Sequence, residues 1–424
     1  MIRFLVKGLL RDRHRSLFPV LVVATGVFLT VLLHCWLIGV LGDMIDTNAR
    51  FATGHVKVVT RAYAEAIDQK PNDLALTDLS ELVARLRHDH PDMDWVARIH
   101  FGGLLDVPDA AGETKAQAPV AGLAVDLRSP GSTEPARLNI DQALRRGQLP
   151  SKRGQVLLSA ELAGKLGVGP GDGVTLLSST MYGSMAMQNF TVAGTVAFGV
   201  AAMDRGAMIM DVADAQAAFD MRDAAGELLG YAPRRFYDPR HAARVAEQFN
   251  AVRAQETDEF APVMLRLEDQ NELGGMLEYV DQMAGFMIAV FVLAMSIVLW
   301  NSGLIGGIRR YGEIGLRLAI GESKGRVYRT MLWESVLVGL VGSVVGALIG
   351  LGFAWWLQVK GFDTSGLLKN VTMMAPTVFR ARITPVAYFI GFVPGVFSTV
   401  LGTLLAGIGI YRRQTAQLFK ELEA

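Results

Sequence analysis

Four runs of this chain are mostly apolar over the roughly 20 residues that a helix needs to cross a bilayer, and they settle the fold class before anything else does. The first is LFPVLVVATGVFLTVLLHCWLIGVL, from Leu17 to Leu41. The second is YVDQMAGFMIAVFVLAMSIVLWNSGLIGGI, apolar from near Met283. The third extends from about Val327 to Leu357, and the fourth from Thr384 to Tyr411. A cleaved signal peptide competes for the first run, but that run is too long and no small-residue cleavage site follows it. With 51% hydrophobic residues and a mean hydropathy of +0.31, the chain is too polar to consist of spans alone. The expected object is a membrane protein with four transmembrane helices and a large mixed α/β domain inserted between spans one and two.

Lysine and arginine near the span ends set the orientation. Arg3, Lys7, Arg11, Arg13 and Arg15 precede the first span. Arg309, Arg310, Arg317, Lys324, Arg326 and Arg329 follow the second, and Arg412, Arg413 and Lys420 follow the fourth. This bias places both termini and the link after span two in the cytoplasm. The expected division is a basic segment at 1–16, spans at 17–41, 280–308, 327–357 and 384–411, an extracytoplasmic domain at 42–279 and a cytoplasmic link at 309–326. A short outer loop at 358–383 and a cytoplasmic tail at 412–424 complete it. Net charge is zero, 41 basic against 41 acidic residues, so no global field points to nucleic acid. Cys35 is the single cysteine, so the domain must hold together through its core. Gly339, Gly342, Gly346, Gly350 and Gly352 in span three suit close helix packing, unless they only reflect the abundance of glycine in membrane helices.

The intervening region reads as strands and amphipathic helices. HVKVV, NFTVAGTVAF and GAMIMDV read as strands, and DAQAAFDM as a short helix. LTDLSELVARLRHDHP reads as a helix, with Thr77 as its N-cap and Leu79, Leu82, Val83 and Leu86 on one face. QVLLSAELAGKLGVGPGDGVTLLSS reads strand, helix, turn, strand. The expected domain is a mixed α/β fold of two lobes. GVGPGDG fits neither phosphate-binding glycine pattern and reads as a turn. His88 and His90 fall on different helix faces before Pro91 and read as a solvated helix end. No catalytic grouping or metal set stands out. Met181, Tyr182, Met185 and Met187 are candidate contacts for a substrate or partner, since methionine adapts to varied apolar shapes; Met203, Met208 and Met210 follow them. The same methionines also read as the core of an ordinary hairpin. Of the intramembrane polar residues, His34 is either a functional group or a neutral imidazole bonded to a neighbouring helix. Glu334 is placed to pair with arginines of the link.

The link RRYGEIGLRLAIGESKGRVYR is more patterned than a connector needs to be. Glu313 and Arg317 stand at i, i+4, Ile314, Leu318 and Ile320 give an apolar stripe, Gly321 breaks the helix and Ser323 starts the next. A short amphipathic helix and turn suited to docking a soluble protein is expected. Its residues Arg310, Glu313, Ile314, Gly315, Ala319 and Gly321, with Glu334 and Asn301 beside them, resemble the cytoplasmic segment of FtsX/MacB/LolC-type ABC transporter permeases. Glu322 departs from the small residue usual there. LLRDRHRSLFPVLVVATGV resembles the family's approach to span one, GHVKVV that of its lipoprotein-releasing branch, and LAGKLGVGPGDGVTLLS its external domain.

The resemblance implies a permease without catalysis or cofactor of its own; no Walker A motif occurs, so ATP and Mg belong to a partner. It implies two copies of a cytoplasmic ABC ATPase and a second permease, identical or homologous. The ATPase contacts would be Arg309, Arg310, Glu313, Ile314, Gly315, Arg317, Ala319, Gly321, Glu322, Ser323 and Lys324, with His34, Asn301 and Glu334 as polar groups within the spans. The implied work is mechanical: ATP-driven movement of the external domain that extracts or exports lipoprotein or lipid-like substrates in a bacterial inner membrane, with or without a periplasmic carrier. Efflux of drugs or peptides through a periplasmic adaptor, and regulation of cell-wall hydrolases, are the alternatives.

Overall fold

The computed structural model describes residues 13–109, 112–198, 201–233, 237–270, 273–308, 311–363 and 378–412. They form two compact units. The spanning unit comprises residues up to Leu41, Tyr279–Asp363 and the residues from Val378 on, and the domain unit comprises Gly42–Glu278.

Four helices of the described residues are long and apolar enough to cross a membrane. The first, α1, is Arg13–Asn48. Among the domain's helices are α2 (Leu79–Asp89), α3 (Ala160–Leu166), α4 (Val212–Ala218) and α5 (Pro239–Val252). The spanning unit continues with α6 (Leu273–Ile308), the short α7 (Tyr311–Ala319), α8 (Lys324–Lys360) and α9 (Thr399–Arg412). The fourth span is not one regular helix. It opens with a 3-10 turn at Pro385–Tyr388 and a π-helical stretch at Val393–Ser398 before α9 begins. Pro385 and Pro394 explain this, since each lacks the N–H that a regular ladder requires.

Glycine sets the packing of α1 against α8. A Cβ on Gly346 would lie 2.3 Å from the Ala24 carbonyl oxygen, one on Gly342 2.7 Å from Val23, and one on Gly350 3.1 Å from Val31. These three glycines, spaced by four, share one helix face and let the backbones meet. Gly339 packs in the same way on the fourth span, whereas Gly352 faces open space. The seam is built by particular glycines, and abundance alone accounts only for Gly352.

The described strands of the domain unit form one ten-stranded sheet. Its strands are β1 (Val56–Thr60), β2 (Asp94–Pro108), β3 (Thr114–Val125), β4 (Leu144–Gly147) and β5 (Gln155–Ser159), then β6 (Gly173–Ser179), β7 (Met185–Val196), β8 (Ala207–Asp211), β9 (Glu227–Tyr231) and β10 (Pro262–Arg266). The order is β10-β1-β9-β2-β3-β8-β5-β7-β4, and β6 pairs with both β2 and β7. The pairings therefore close a ring, β2–β3–β8–β5–β7–β6 and back to β2, filled by Leu105, Leu158, Leu176, Phe190, Met208 and Met210. β2 is long enough to serve both regions. Asp94–Arg98 pair with β9, and the rest pairs with β3 and β6.

The local expectations for strands, helices and the GVGPGDG turn match these elements. Gly167 ends α3 at φ +69° and Gly171 turns at φ +101°. The N-cap of α2 differs from expectation. The cap position is Asp78, not Thr77, and Asp78 makes no capping bond. Asp223, distant in sequence, does that work instead: its carbonyl accepts from Leu79 N and its carboxylate accepts from the N–H and hydroxyl of Ser80.

Candidate functional site

The link between α6 and α8 is a nine-residue helix held at its back and open at its tip. Ile314 and Gly315 are buried. Ile314 packs with Val327, Met331 and Ala406, and Leu318 and Tyr328 close over the contact. The tip then presents Leu316, Arg317, Ala319 and Ile320, all exposed. Ile320, 80% exposed, does not join the buried stripe as expected, because it falls in the turn after the helix.

The turn is a glycine C-cap. Glu322 N donates to Arg317 O at 3.0 Å and Gly321 N to Leu318 O at 3.1 Å, with Gly321 at φ +99°. A side chain at position 321 would be strained there even though nothing crowds it. Ser323 follows at the N-cap position of α8 without a side-chain capping bond. Glu322 and Lys324 are half-buried beside it. Arg317 is exposed, and no Glu313–Arg317 ion pair is found among the described residues. Arg309 and Arg310 lie outside the described residues.

The polar residues of the spans separate into different roles. His34 is buried and its Nε2 lies 2.9 Å from Thr384 Oγ1, joining span one to the start of span four. Asn301 is exposed on α6. Glu334 lines a cavity of about 70 Å³ with Ser302, Gly303, Gly306, Ser335 and Thr403. That cavity lies between the helices that run into and out of the link.

In the domain unit, Tyr182, Met185 and Met187 are exposed on the β6–β7 hairpin. Leu104 stands opposite Leu177, and Leu177 opposite Met187, so an apolar row crosses three strands on the outer face of the ring. Met181 does not belong to it. It is buried, with its N–H bonded to Phe219 O, because the turn folds it inward. Met208 and Met210 are core. Among the described residues no His, Cys, Asp or Glu group could hold a metal ion.

A second polar constellation escaped the sequence reading. Lys57 Nζ lies 2.9 Å from Glu227 Oε1, Tyr63 donates its hydroxyl to the same oxygen at 3.1 Å, and His100 Nε2 is 3.5 Å from Oε2. Burial alone would raise the Glu227 carboxyl, but the Lys57 charge and the His100 contact outweigh it and hold the group ionised, well below its ordinary range. Beside it, Arg98 is fully buried and doubly bonded to Glu134, which Arg137 also grips. The readable signal was a charged residue within apolar strands, Lys57 in HVKVV and Arg98 in WVARI. A strand pattern cannot say which carboxylate answers each of them.

Comparison with known proteins places the spanning half. Residues 285–415 match the FtsX-like permease C-terminal family. The "Lipoprotein-releasing system transmembrane protein LolC" of Xylella fastidiosa (strain 9a5c) is 27% identical over 250 residues, covering 56% of this chain and 57% of that protein. The "Macrolide export ATP-binding/permease protein MacB 1/2" of Paracoccus denitrificans (strain Pd 1222) is 31% identical over 120 residues, 28% of this chain and 18% of that one. The chain therefore spans little more than half the length of the LolC relative it matches. The periplasmic region of MacB from Actinobacillus actinomycetemcomitans is similar at a TM-score of 0.36 and 10% identity, over 55% of this chain and 96% of that one. Four helices long and apolar enough to cross a membrane and a capped link between the second and third accompany a match of residues 285–415 to the FtsX-like permease C-terminal family, and the chain is similar to LolC and MacB.

Proposed function

We propose that this chain is the membrane subunit of an ABC transporter and that α7 docks into a separate cytoplasmic ATPase subunit. The observation that carries this reading is the link itself. Its inner face is anchored through Ile314, and its tip offers Leu316, Arg317, Ala319, Ile320 and Ser323 around a glycine turn. Apolar and cationic groups side by side suit a groove on a soluble protein better than water or lipid alone. The Lys and Arg bias supports a cytoplasmic link and termini, with the α/β domain outside the cytoplasmic membrane. Two ATPase copies and a second permease complete the assembly. The apolar window of α6, only 11% buried within the chain against 39–44% for the other spans, leaves a face for that second permease or for lipid.

The output is movement of the α/β domain, coupled to extraction of a lipoprotein or lipid-like substrate. The longer LolC match supports this, and the outer row of Met187, Leu177 and Leu104 offers such a substrate or its carrier an apolar surface. The MacB match supports efflux through an adaptor as the second reading. Mild purification from the native membrane, with every co-purifying protein and lipid identified, tests both. An ATPase with acylated proteins is the expected result, and an ATPase with a periplasmic adaptor favours efflux. No ATPase, while other transporters stay intact, overturns the docking. Gly321→Pro removes both the N–H and the backbone angle of the turn, so it is expected to insert normally and lose the ATPase.

A further inference from the structure

The cavity beside Glu334 is lined by oxygen atoms that accept hydrogen bonds and have few left to donate. Ser302 and Gly306 of α6, Glu334 and Ser335 of α8, and Thr399 and Thr403 of α9 all border it. A hydroxyl has one proton and two lone pairs. Three of these hydroxyls have already placed the proton within their own helices. Ser335 Oγ donates to Leu332 O at 2.8 Å, Thr399 Oγ1 to Gly395 O at 2.7 Å and Thr403 Oγ1 to Thr399 O at 3.0 Å. What they offer the cavity is therefore lone pairs. An ionised carboxylate at Glu334 adds more acceptors.

The local backbone explains both the oxygens and the room. The π-helical stretch of span four ends at Ser398, directly before Thr399. Such stretches break the regular ladder and occur mostly at functional sites. Thr399 Oγ1 also lies 3.0 Å from Val396 O, so it answers two carbonyls of that stretch. Glycines bring the walls together. A Cβ on Gly303 would lie 2.7 Å from Thr399 O, and one on Gly402 2.3 Å from Trp300 O, so α6 and α9 meet backbone to backbone. A Cβ on Gly306 would meet nothing within 4 Å, which leaves space at the lining itself. About 70 Å³ is more than a single water requires.

We propose that this cavity binds a monovalent metal cation, sodium or potassium, through Glu334 and the hydroxyl oxygens of Ser335, Thr399 and Thr403. Hard cations take oxygen ligands, and hydroxyl and carboxylate oxygens both serve. Lone pairs repel an anion. The lining carries one carboxylate, which balances one positive charge. A divalent ion would keep an excess charge in a poorly solvated site, at high cost. Bound there, the ion ties α8 to α9 beside the link. The proposal goes beyond the ABC transporter reading and needs only the packing of these helices.

The test uses the full chain in lipid nanodiscs, with sodium, potassium or N-methylglucamine chloride at constant ionic strength. Replacing N-methylglucamine by the bound cation is expected to raise the thermal midpoint saturably, by about 5 °C. Isothermal titration with the same salt should give one site per chain. Thr403→Val keeps the shape of the side chain and removes its oxygen, and Gly306→Val fills the space. Each is expected to weaken binding by more than about tenfold while moving the midpoint in N-methylglucamine by less than about 3 °C. Thr403→Ser keeps the oxygen and should bind as the parent does, which a purely structural role for Thr403 would not predict. Should Gly306→Val fail to fold, the Thr403 pair carries the measurement. Equal midpoints in all three salts mean that the cavity holds only water and overturn the proposal. Binding that survives in Thr403→Val and Gly306→Val overturns the location, and tighter binding of magnesium overturns the single charge.

Discussion

The two units solve the packing problem by opposite means. In the spanning unit the helices meet where side chains are missing: Gly342, Gly346 and Gly350 bring α8 onto α1 backbone to backbone. In the domain unit the buried layer is crowded with side chains, including the Lys57–Glu227 and Arg98–Glu134 pairs, whose carboxylates are fully buried. The solvent explains the contrast. Lipid gives no hydrophobic drive between helices, so close dispersion contact must hold them together. The domain has water to exclude, and excluded charges must then find partners inside.

The contrast is broken most severely at the seam. Gly346→Leu puts a branched side chain where 2.3 Å separates a Cβ from the Ala24 carbonyl. Detergent-solubilised protein eluting as a single peak is expected to fall by more than about tenfold, with the domain's own contacts untouched. Gly352→Leu, facing open space, is expected to leave the elution unchanged.

The counterpart in the domain is Glu227→Ala, which strands the buried Lys57 ammonium. A loss of about 3–5 kcal/mol is expected by thermal or chemical unfolding of the full chain. Replacing both partners, Lys57→Met with Glu227→Leu, should recover most of it, because two apolar groups in that layer need no partner. If the double variant is as unstable as the single one, charge pairing is not what the layer needs.

Acid sharpens the comparison further. His55 accepts from Ala232 N and lies between the rings of Tyr231 and Tyr237. Burial, then the Arg137 and Arg50 charges, pushes its imidazole down to about 4. Between the ordinary histidine range and pH 4 the unfolded chain therefore binds a proton that the folded domain refuses. Stability is at its full value above about pH 6.5 and declines towards pH 4, by on the order of 2–3 kcal/mol. Thermal midpoints from pH 7.5 to 4.5 should show this slope, and His55→Asn, which keeps an acceptor without the titration, should flatten it. The smallest effect belongs to the surface. Arg85 and Glu81 pair at 2.8 Å on α2 but are largely exposed, so Arg85→Ala should cost less than about 0.5 kcal/mol.

Much of this was legible because it is local. Span length, the period of Leu79, Leu82 and Leu86, and the glycine at position 321 each depend on residues within a few positions of one another. What stayed hidden was partnership across the chain. The α2 cap comes from Asp223, and the answer to Lys57 comes from Glu227. In the link, a helical wheel could group Ile314 with Ile320, but the turn at Gly321 separates them: one is anchored among Val327 and Met331 and the other is exposed. Met181 and Met185 are chemically alike and four residues apart, yet only the turn between β6 and β7 decides that one is core and the other surface.

The position of β1 has a consequence for how the protein is made. β1 follows immediately after the first span, yet its partners are β9 and β10, with Val56 opposite Arg266. During synthesis the first membrane helix is in place long before the strand beside it can pair, since Gly230 and Arg266, the partners of Val56, follow it by 174 and 210 residues. Closure of the sheet is a late event of high contact order, and until it occurs the apolar edge of Val56, Val58 and Val59 stands open. A cell producing this chain must protect that strand while the rest of the domain is still being translated.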